Sequence, residues 1–446
     1  MRFERPRGTR DYLPPETYIR ELIVDTAKTV FELYGYSEVV TPAFEHLELL
    51  EAKAGPEIRE QIYWFKDKAG RLLGLRFDVT TSIARIVANM PQLPKPLRFY
   101  YVAPVWRYEE PQRGRLREFW QAGIELIGSP KVDADAEVIA LTYRFFEKLG
   151  FEKGLDIRIN NRKVADALAY NKNVEEELRE QFFRAIDKLY KHGEERVVEE
   201  LRKLGLTSEA IRDTLEFIKL DGRNEEKIEV ARDMLKASER GLEGLKELEN
   251  LVLILKDYYG IPENAIHVDF SIVRGIGYYT GIVFEFMHEK ARELGALAAG
   301  GRYDNLIEIF DGAPTPATGM SIGIERVSEL FKTIHGSSHL EEKPPAHVMV
   351  LPVTDDSDLM RQSIRIAERL RKSGLKVITD VQHRKLRVNL EHADKSRIPF
   401  VILIGRKELE EGKVTLKDML TREQETLTLG EALEKIRRTV KSEVNL

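Results

Sequence analysis

The chain has 446 residues, 42% hydrophobic and 33% charged, enough for two or three domains with separate cores. It contains no cysteine, which excludes disulfides and thiolate metal sites, and no stretch has the run of about 20 apolar residues that a membrane span needs. The formal net charge of −5 is unevenly spread: residues 346–446 carry 20 Lys+Arg against 16 Asp+Glu, so the C-terminal end is basic and the rest acidic, which permits a phosphate-backbone partner at that end. The N-terminal MRFERPRGTRDYLPPE lacks an apolar leader, and a cytoplasmic protein is expected.

In chain order, Ile19, Ile23, Ala27, Val30, Phe31 and Tyr34 recur at three- and four-residue spacing and predict a helix stopped by Gly35. An extended segment, YSEVVTPAFE, follows and contains Pro42. Residues 107–125, RYEEPQRGRLREFWQAGIE, gather four arginines and four glutamates around a Pro/Gly turn and are expected to form a hairpin. Period-two alternation sends Arg117, Phe119, Gln121, Gly123 and Glu125 to one face of its return strand and Trp120, Ala122, Ile124 and Leu126 to the other. The second set is a core face. The first is a polar surface around one ring, either an exposed ion-pair ladder that contributes little or a nucleotide site. In a nucleotide site the arginines would meet phosphates, Phe119 a base, and Gln121 and Glu125 a small polar ligand.

From about Val164 to Lys256 the chain is rich in Glu, Lys, Arg and Leu with helical periodicity, a helical insertion between two strand-rich blocks. HVDFSIVRGIGYYTGIVFEF then reads as buried strand on both sides of a glycine-marked break, with Arg274 at the break and Tyr278 and Tyr279 after it. In ALAAGGRYDNLIEIF, residues 299–301 permit close backbone approach, equally for a ligand or for tight strand packing. ATGMSIGIERVSELF runs from strand into helix with Glu325 and Arg326 at the junction, a common helix-starting charge pair when taken alone. A Gly/Ser/Pro linker spans residues 336–346, and beyond it strands alternate with helices, which predicts a separate α/β domain with a mainly parallel sheet.

Taken together, these segments resemble the class II aminoacyl-tRNA synthetases and, within them, the histidyl-tRNA synthetase family. GYSEVVTPAFE is similar to the first class motif, WRYEEPQRGRLREFWQAGIE to the second and GMSIGIERV to the third, while VRGIGYYTG and AGGRYDNL resemble the two histidyl signatures. RGTRDYLPPE, LRFDVTTSIAR, INNRKV and KLRVNLEHADKSRIPFVILIG also fit, so the resemblance covers nearly the whole chain except most of the insertion. It implies a multidomain α/β and α+β protein: a class II antiparallel-sheet catalytic domain at residues 1–335, interrupted at about 165–258, and an anticodon-binding domain at 347–446. It also implies a homodimer joined near Pro42.

The implied activity is ATP-dependent ligation: L-histidine becomes histidyl-adenylate and is transferred to the 3'-terminal adenosine of tRNA(His). The resemblance carries Arg107 onto the α-phosphate of ATP, Arg115 and Arg326 onto the outer phosphates, Phe119 under adenine and Glu109 onto its amine. Permanently charged, bidentate guanidinium suits that task. Asp78, Thr80 and Gln121 match the ammonium end of a histidine pocket, and Glu125 and Tyr279, with Tyr278 beside them, the imidazole end. Paired polar contacts there discriminate better than an apolar pocket could. Arg274 and Arg107 are the expected catalytic groups, steadying charge at the reacting phosphorus. Mg2+ is expected with ATP, held mostly by phosphate oxygens and waters, with Glu325 or no side chain as its protein ligand. Gln112 and Arg113 in the 110–116 loop, and Arg384, Lys385 and Arg387 in the basic domain, are candidate RNA contacts. Gly277, Glu110 and Leu116 depart from the family pattern, Gly277 where an Asp is usual. A catalytically silent relative that binds histidine or tRNA as a regulatory module is the alternative.

Overall fold

The computed structural model describes residues 3–54, 56–189, 193–273, 278–336 and 344–443, and the chain divides into two compact units, Met1–Gly336 and Ser337–Leu446. The first helix, Glu16–Leu33, buries Ile19, Ile23, Ala27, Val30 and Phe31, and the chain turns at Gly35, whose φ of +79° is strained for any residue with a side chain.

Strands of the first unit are β1 (Ser37–Glu38), β2 (Phe44–His46), β3 (Trp64–Lys66), β4 (Leu72–Leu75), β5 (Leu97–Trp106), β6 (Glu118–Ile127), β7 (Leu155–Asn161), β8 (Ile266–Val268), β9 (Ile282–His288), β10 (Ala298–Arg302) and β11 (Ala317–Gly323). Eight form one sheet in the order β1-β5-β6-β11-β10-β9-β7-β8. Its six central strands are antiparallel, and only the edge pairs β1–β5 and β7–β8 are parallel. Strands β2, β4 and β3 make a small separate sheet.

Pairing register gives the large sheet two different faces. Tyr100 lies opposite Ile124 and Val102 opposite Ala122, and this side packs on Glu16–Leu33 and Val132–Lys148, with Phe31 against Tyr100 and Phe146 stacked on Phe286. The other side carries Phe119, Gln121, Gly123 and Glu125 opposite Val105, Ala103, Tyr101 and Phe99. Of the two readings that alternation left open for this face, the exposed ladder does not fit the burial of Gln121 and Glu125. The helix Thr80–Asn89 covers the face through Ile83, Ala84 and Val87, so Gln121 and Glu125 are buried. Sequence alternation separates two faces but does not say whether a second layer lies over the polar one.

Helices run from Arg162 to the π-turn Ile254–Tyr258, and this stretch is the crossover between the parallel neighbours β7 and β8. It is pinned to the sheet edge by side chains that imitate a strand. Asn224 Nδ2 donates to Ile266 O at 2.8 Å, its Oδ1 accepts Val268 N–H at 2.8 Å, and Lys227 Nζ donates to Val268 O at 2.6 Å.

The second unit has β12 (Val348–Pro352), β13 (Val377–Thr379), β14 (Phe400–Ile404), β15 (Lys413–Asp418) and β16 (Gln424–Thr428) in the order β13-β12-β14-β15-β16. The three parallel strands alternate with helices as expected, and β15 and β16 extend them as an antiparallel hairpin not expected from the sequence. Ser357–Lys372 and Leu429–Glu443 bury Leu359, Ile366, Leu370, Ala432 and Ile436 on one side, and Leu386–Lys395 buries Ala393 on the other. Most of the linker, residues 337–343, falls outside the described residues.

Candidate active site

Two cavities adjoin on the covered side of the large sheet. The first, a cleft of about 650 Å3 open to solvent, is walled by Arg107, Glu109, Arg115, Phe119, Glu325 and Arg326. The second, about 560 Å3, is walled by Asp78, Thr80, Glu125, Tyr278, Tyr279 and Tyr303. Arg107, Gln121, Ala299 and Ser321 line both, so a ligand spanning the two would pass these four residues. Residues spread from 78 to 326 converge because β5, β6, β10 and β11 are neighbours.

In the cleft, Arg107 is oriented by its Nε donating to Phe77 O at 3.1 Å, and its guanidinium lies 5.2 Å from the Phe119 ring centre. Arg115 approaches Glu109 at 4.0 Å. Arg326 Nη1 donates to Ala296 O at 2.5 Å. Glu325 accepts Trp120 N–H on both oxygens, at 3.1 and 3.0 Å, and Tyr12 O–H at 3.4 Å; burial raises its pKa against the pull of the Trp120 amide. A carboxylate so engaged ties the helix Ile324–His335 to β6, and the expectation that Glu325 holds a metal gains no geometric support. Among the described residues no group of three or more His, Cys, Asp or Glu side chains could hold an ion.

In the inner pocket, Thr80 Oγ1 donates to Glu125 Oε1 at 2.6 Å and Tyr303 O–H donates to Glu125 Oε2. Thr80, an ammonium-end candidate, thus spends its hydroxyl proton on the imidazole-end candidate Glu125, while its oxygen can still accept a hydrogen bond. Burial pushes the Glu125 carboxyl up to about 7, although both donors pull the other way. Gly319 lies opposite Glu125 in the ladder, where a Cβ would stand 1.8 Å from Glu125 Oε2, so the acid fits only beside a glycine. Gln121, part of the shared wall, donates to Ser321 Oγ at 3.3 Å, and its Oε1 is buried without a partner among the described atoms, which leaves an acceptor unsatisfied there. Tyr278 and Tyr279 hydroxyls are 3.3 Å apart.

Asp78 is also buried. Desolvation works to raise its pKa, but Lys53, 2.8 Å away, and the Thr81 N–H and Oγ–H outweigh it and hold the carboxyl below its ordinary range. Lys53 and Tyr303 were not singled out from sequence. Tyr303 had a signal in AGGRYDNL, whereas Lys53 sits on a helix whose pattern marks nothing.

The remaining expected residues lie elsewhere. Arg274 and Gly277 fall outside the described residues. Gln112 and Arg115 bridge across the loop tip, where Gly114 has a φ of +70°. Arg113 pairs with Glu329 at 3.2 Å and Glu293 at 3.5 Å. Glu110 pairs with Arg7, and Arg117 is a structural group: its N–H donates to Gly8 O at 2.7 Å and its Nε to Glu109 O at 3.0 Å. Arg384, Lys385 and Arg387 belong to the second unit, exposed at the start of Leu386–Lys395, with Arg387 paired to Glu391.

A family model described as histidyl-tRNA synthetase matches residues 8–327, which include every described wall residue of both cavities. The chain belongs to the histidyl-tRNA synthetase family. A second model, described as an anticodon binding domain, matches residues 347–439. Similar histidyl-tRNA synthetase family members are the histidine–tRNA ligases of Thermococcus kodakarensis, 40% identical over 98% of both chains, and of Methanocaldococcus jannaschii, 38% identical over 96% of this chain and 98% of that one. Among solved structures, a histidyl-tRNA synthetase from Nostoc superposes with a TM-score of 0.82 at 32% identity, covering 98% of this chain and 100% of that one. A protein described as an ATP phosphoribosyltransferase regulatory subunit/histidyl-tRNA synthetase, from Bacillus halodurans, superposes with a TM-score of 0.73 at 27% identity over 88% of this chain and 97% of that one.

Proposed function

We infer that the two adjoining cavities carry out adenylation of histidine followed by its transfer to tRNA(His). The chain is an ATP-dependent histidine–tRNA ligase. One observation carries the residue-level reading: an arginine-walled cleft and a pocket built around buried carboxylates share Arg107 and Gln121 as a common wall. In this reading the triphosphate lies against Arg107, Arg115 and Arg326, adenine on Phe119 with Glu109 at its amine, and histidine in the inner pocket.

A carboxylate oxygen of histidine attacks the α-phosphorus, the bond to the β-phosphate oxygen breaks, and pyrophosphate leaves. A hydroxyl of the terminal adenosine then attacks the acyl carbon, the bond from that carbon to the phosphate oxygen breaks, and AMP leaves while the hydroxyl proton passes to a phosphate oxygen. Arg107 is proposed to steady charge at the phosphorus in both steps, and the same role is proposed for Arg274. Positioning and charge supply most of the acceleration in such transfers. Asp78 and Gln121 receive the histidine ammonium, and Glu125, held by Thr80 and Tyr303, receives an imidazole N–H with Tyr278 and Tyr279 at the other nitrogen. Mg2+ bound together with ATP would supply charge neutralisation beside the arginines of the cleft, and no cluster of acidic or histidine side chains among the described residues would hold it. Gln112 and Arg113 face the acceptor end of the RNA, and Arg384, Lys385 and Arg387 its anticodon end.

A homodimer is proposed through the small sheet. Phe44, Leu73, Leu75 and Phe65 share one face of β2-β4-β3, with Phe44 and Phe65 exposed and in edge contact, while Gly74 on the other face packs against Leu47, Leu50 and Ile62. No helix among the described residues is long and apolar enough to cross a membrane, and residence in the cytoplasm is part of the proposal.

Amino-acid-dependent ATP–pyrophosphate exchange tests the reading, with all standard amino acids scanned. Exchange with histidine alone, reduced at least roughly 100-fold by Arg107→Ala or Arg274→Ala, is expected. Histidine binding without exchange would point instead to a regulatory module.

A further inference from the structure

Lys53 does not line the inner pocket. It stands behind the wall, on the helix Leu47–Ala54, with its side chain fully screened from solvent. Its Nζ is 2.8 Å from Asp78 Oδ2 and 4.3 Å from the centre of the Tyr278 ring, and both of those residues do line the pocket. The other Asp78 oxygen accepts Thr81 N–H at 3.1 Å and Thr81 Oγ–H at 2.8 Å. Two donors from Thr81 thus occupy Oδ1, whereas Oδ2 accepts only from Lys53 among the described atoms and keeps a lone pair for a further donor.

A buried carboxylate without a cation takes up a proton, because charge in a dry site is costly. A protonated Asp78 would be a poor acceptor for an ammonium group. The groups around it include the acid Glu125 and the phenols Tyr101 and Tyr278, none of which supplies positive charge, whereas Arg107 is committed to the shared wall.

We propose that Lys53 is a positioning residue for amino-acid recognition, pairing with Asp78 from behind so that this carboxylate stays charged and correctly turned to receive the α-ammonium of histidine. The proposal rests on Asp78 being the ammonium acceptor, and the test separates the two. The full chain is assayed by pyrophosphate exchange with two competitive inhibitors: histidinol, which has the ammonium but no carboxylate, and 3-(imidazol-4-yl)propionate, which has the carboxylate but no ammonium.

Lys53→Met raises the KM for histidine and the Ki for histidinol roughly 10- to 100-fold, the range lost with a charge-assisted contact. The KM for ATP and the Ki for imidazolylpropionate stay within about twofold, since neither contact passes through Asp78. Lys53→Arg restores histidinol binding, and adding Lys53→Met to Asp78→Asn changes it little, as expected for two residues acting through one contact. Lys53→Gln carries the same readout should the Met variant be insoluble. Wild-type histidinol inhibition in both uncharged variants, or equal loss of both inhibitors, overturns the role of Lys53. Unchanged histidinol inhibition in Asp78→Asn overturns the ammonium reading on which it rests.

Discussion

Glu125 shows how a single side chain links site chemistry to stability. Its carboxyl is pushed up to about 7 in the fold from an ordinary 4.5 in an unfolded chain, so the folded form holds an extra proton between these values. The stability it contributes is complete below about 4.5 and is lost as pH rises through about 7; each tenfold difference in proton affinity between the folded and unfolded chain is worth about 1.4 kcal/mol. Thermal melts of the ligand-free chain should therefore show a Tm component that declines from about pH 5 to about pH 8, and Glu125→Gln should flatten it; an unchanged slope would count against the buried acid. Asp78, held low, acts oppositely and loses its contribution only as pH falls below the carboxylate range. Gly319→Ala drives a methyl group into Glu125, which should cost about 1–3 kcal/mol by chemical denaturation, as overpacking does, and raise the KM for histidine.

At the scale of elements, the hairpin of β5 and β6 was legible because its alternation and turn residues are local, and so was the helical insertion, because its periodicity is long. The clamp on β8 was not, since Asn224 and Lys227 look like ordinary polar residues of a solvated helix until the edge strand lies against them. Asn224→Leu leaves the Val268 amide and Ile266 carbonyl without these partners, at about 1–3 kcal/mol for a buried group. Hydrogen exchange should read this as faster exchange confined to β8 and the helix Asn224–Met234. Protection unchanged there would show that packing alone holds the insertion.

For the molecule as a whole, two expectations concern assembly. Phe65→Glu should convert the proposed dimer to a monomer in sedimentation experiments, because a charge on an apolar face is desolvated on association; a wild-type sedimentation coefficient would count against an interface at the small sheet. Residues 344–446, which enclose two apolar clusters of their own, should fold when expressed alone and melt in one cooperative transition with native secondary structure.

By itself the sequence determined the first helix, the hairpin of β5 and β6, the helical insertion, and the motifs that resemble the histidyl-tRNA synthetases, since periodicity, turn composition and short motifs are local properties of a chain. Only the tertiary structure decided that the polar face of β6 is roofed by Thr80–Asn89, that Glu325 binds an amide, that Thr80 and Tyr303 hold Glu125, and that Lys53 stands behind Asp78. Those pairings span 25 to 205 positions, and nothing in the pattern around either partner encodes which distant carboxylate or donor the fold will bring to it.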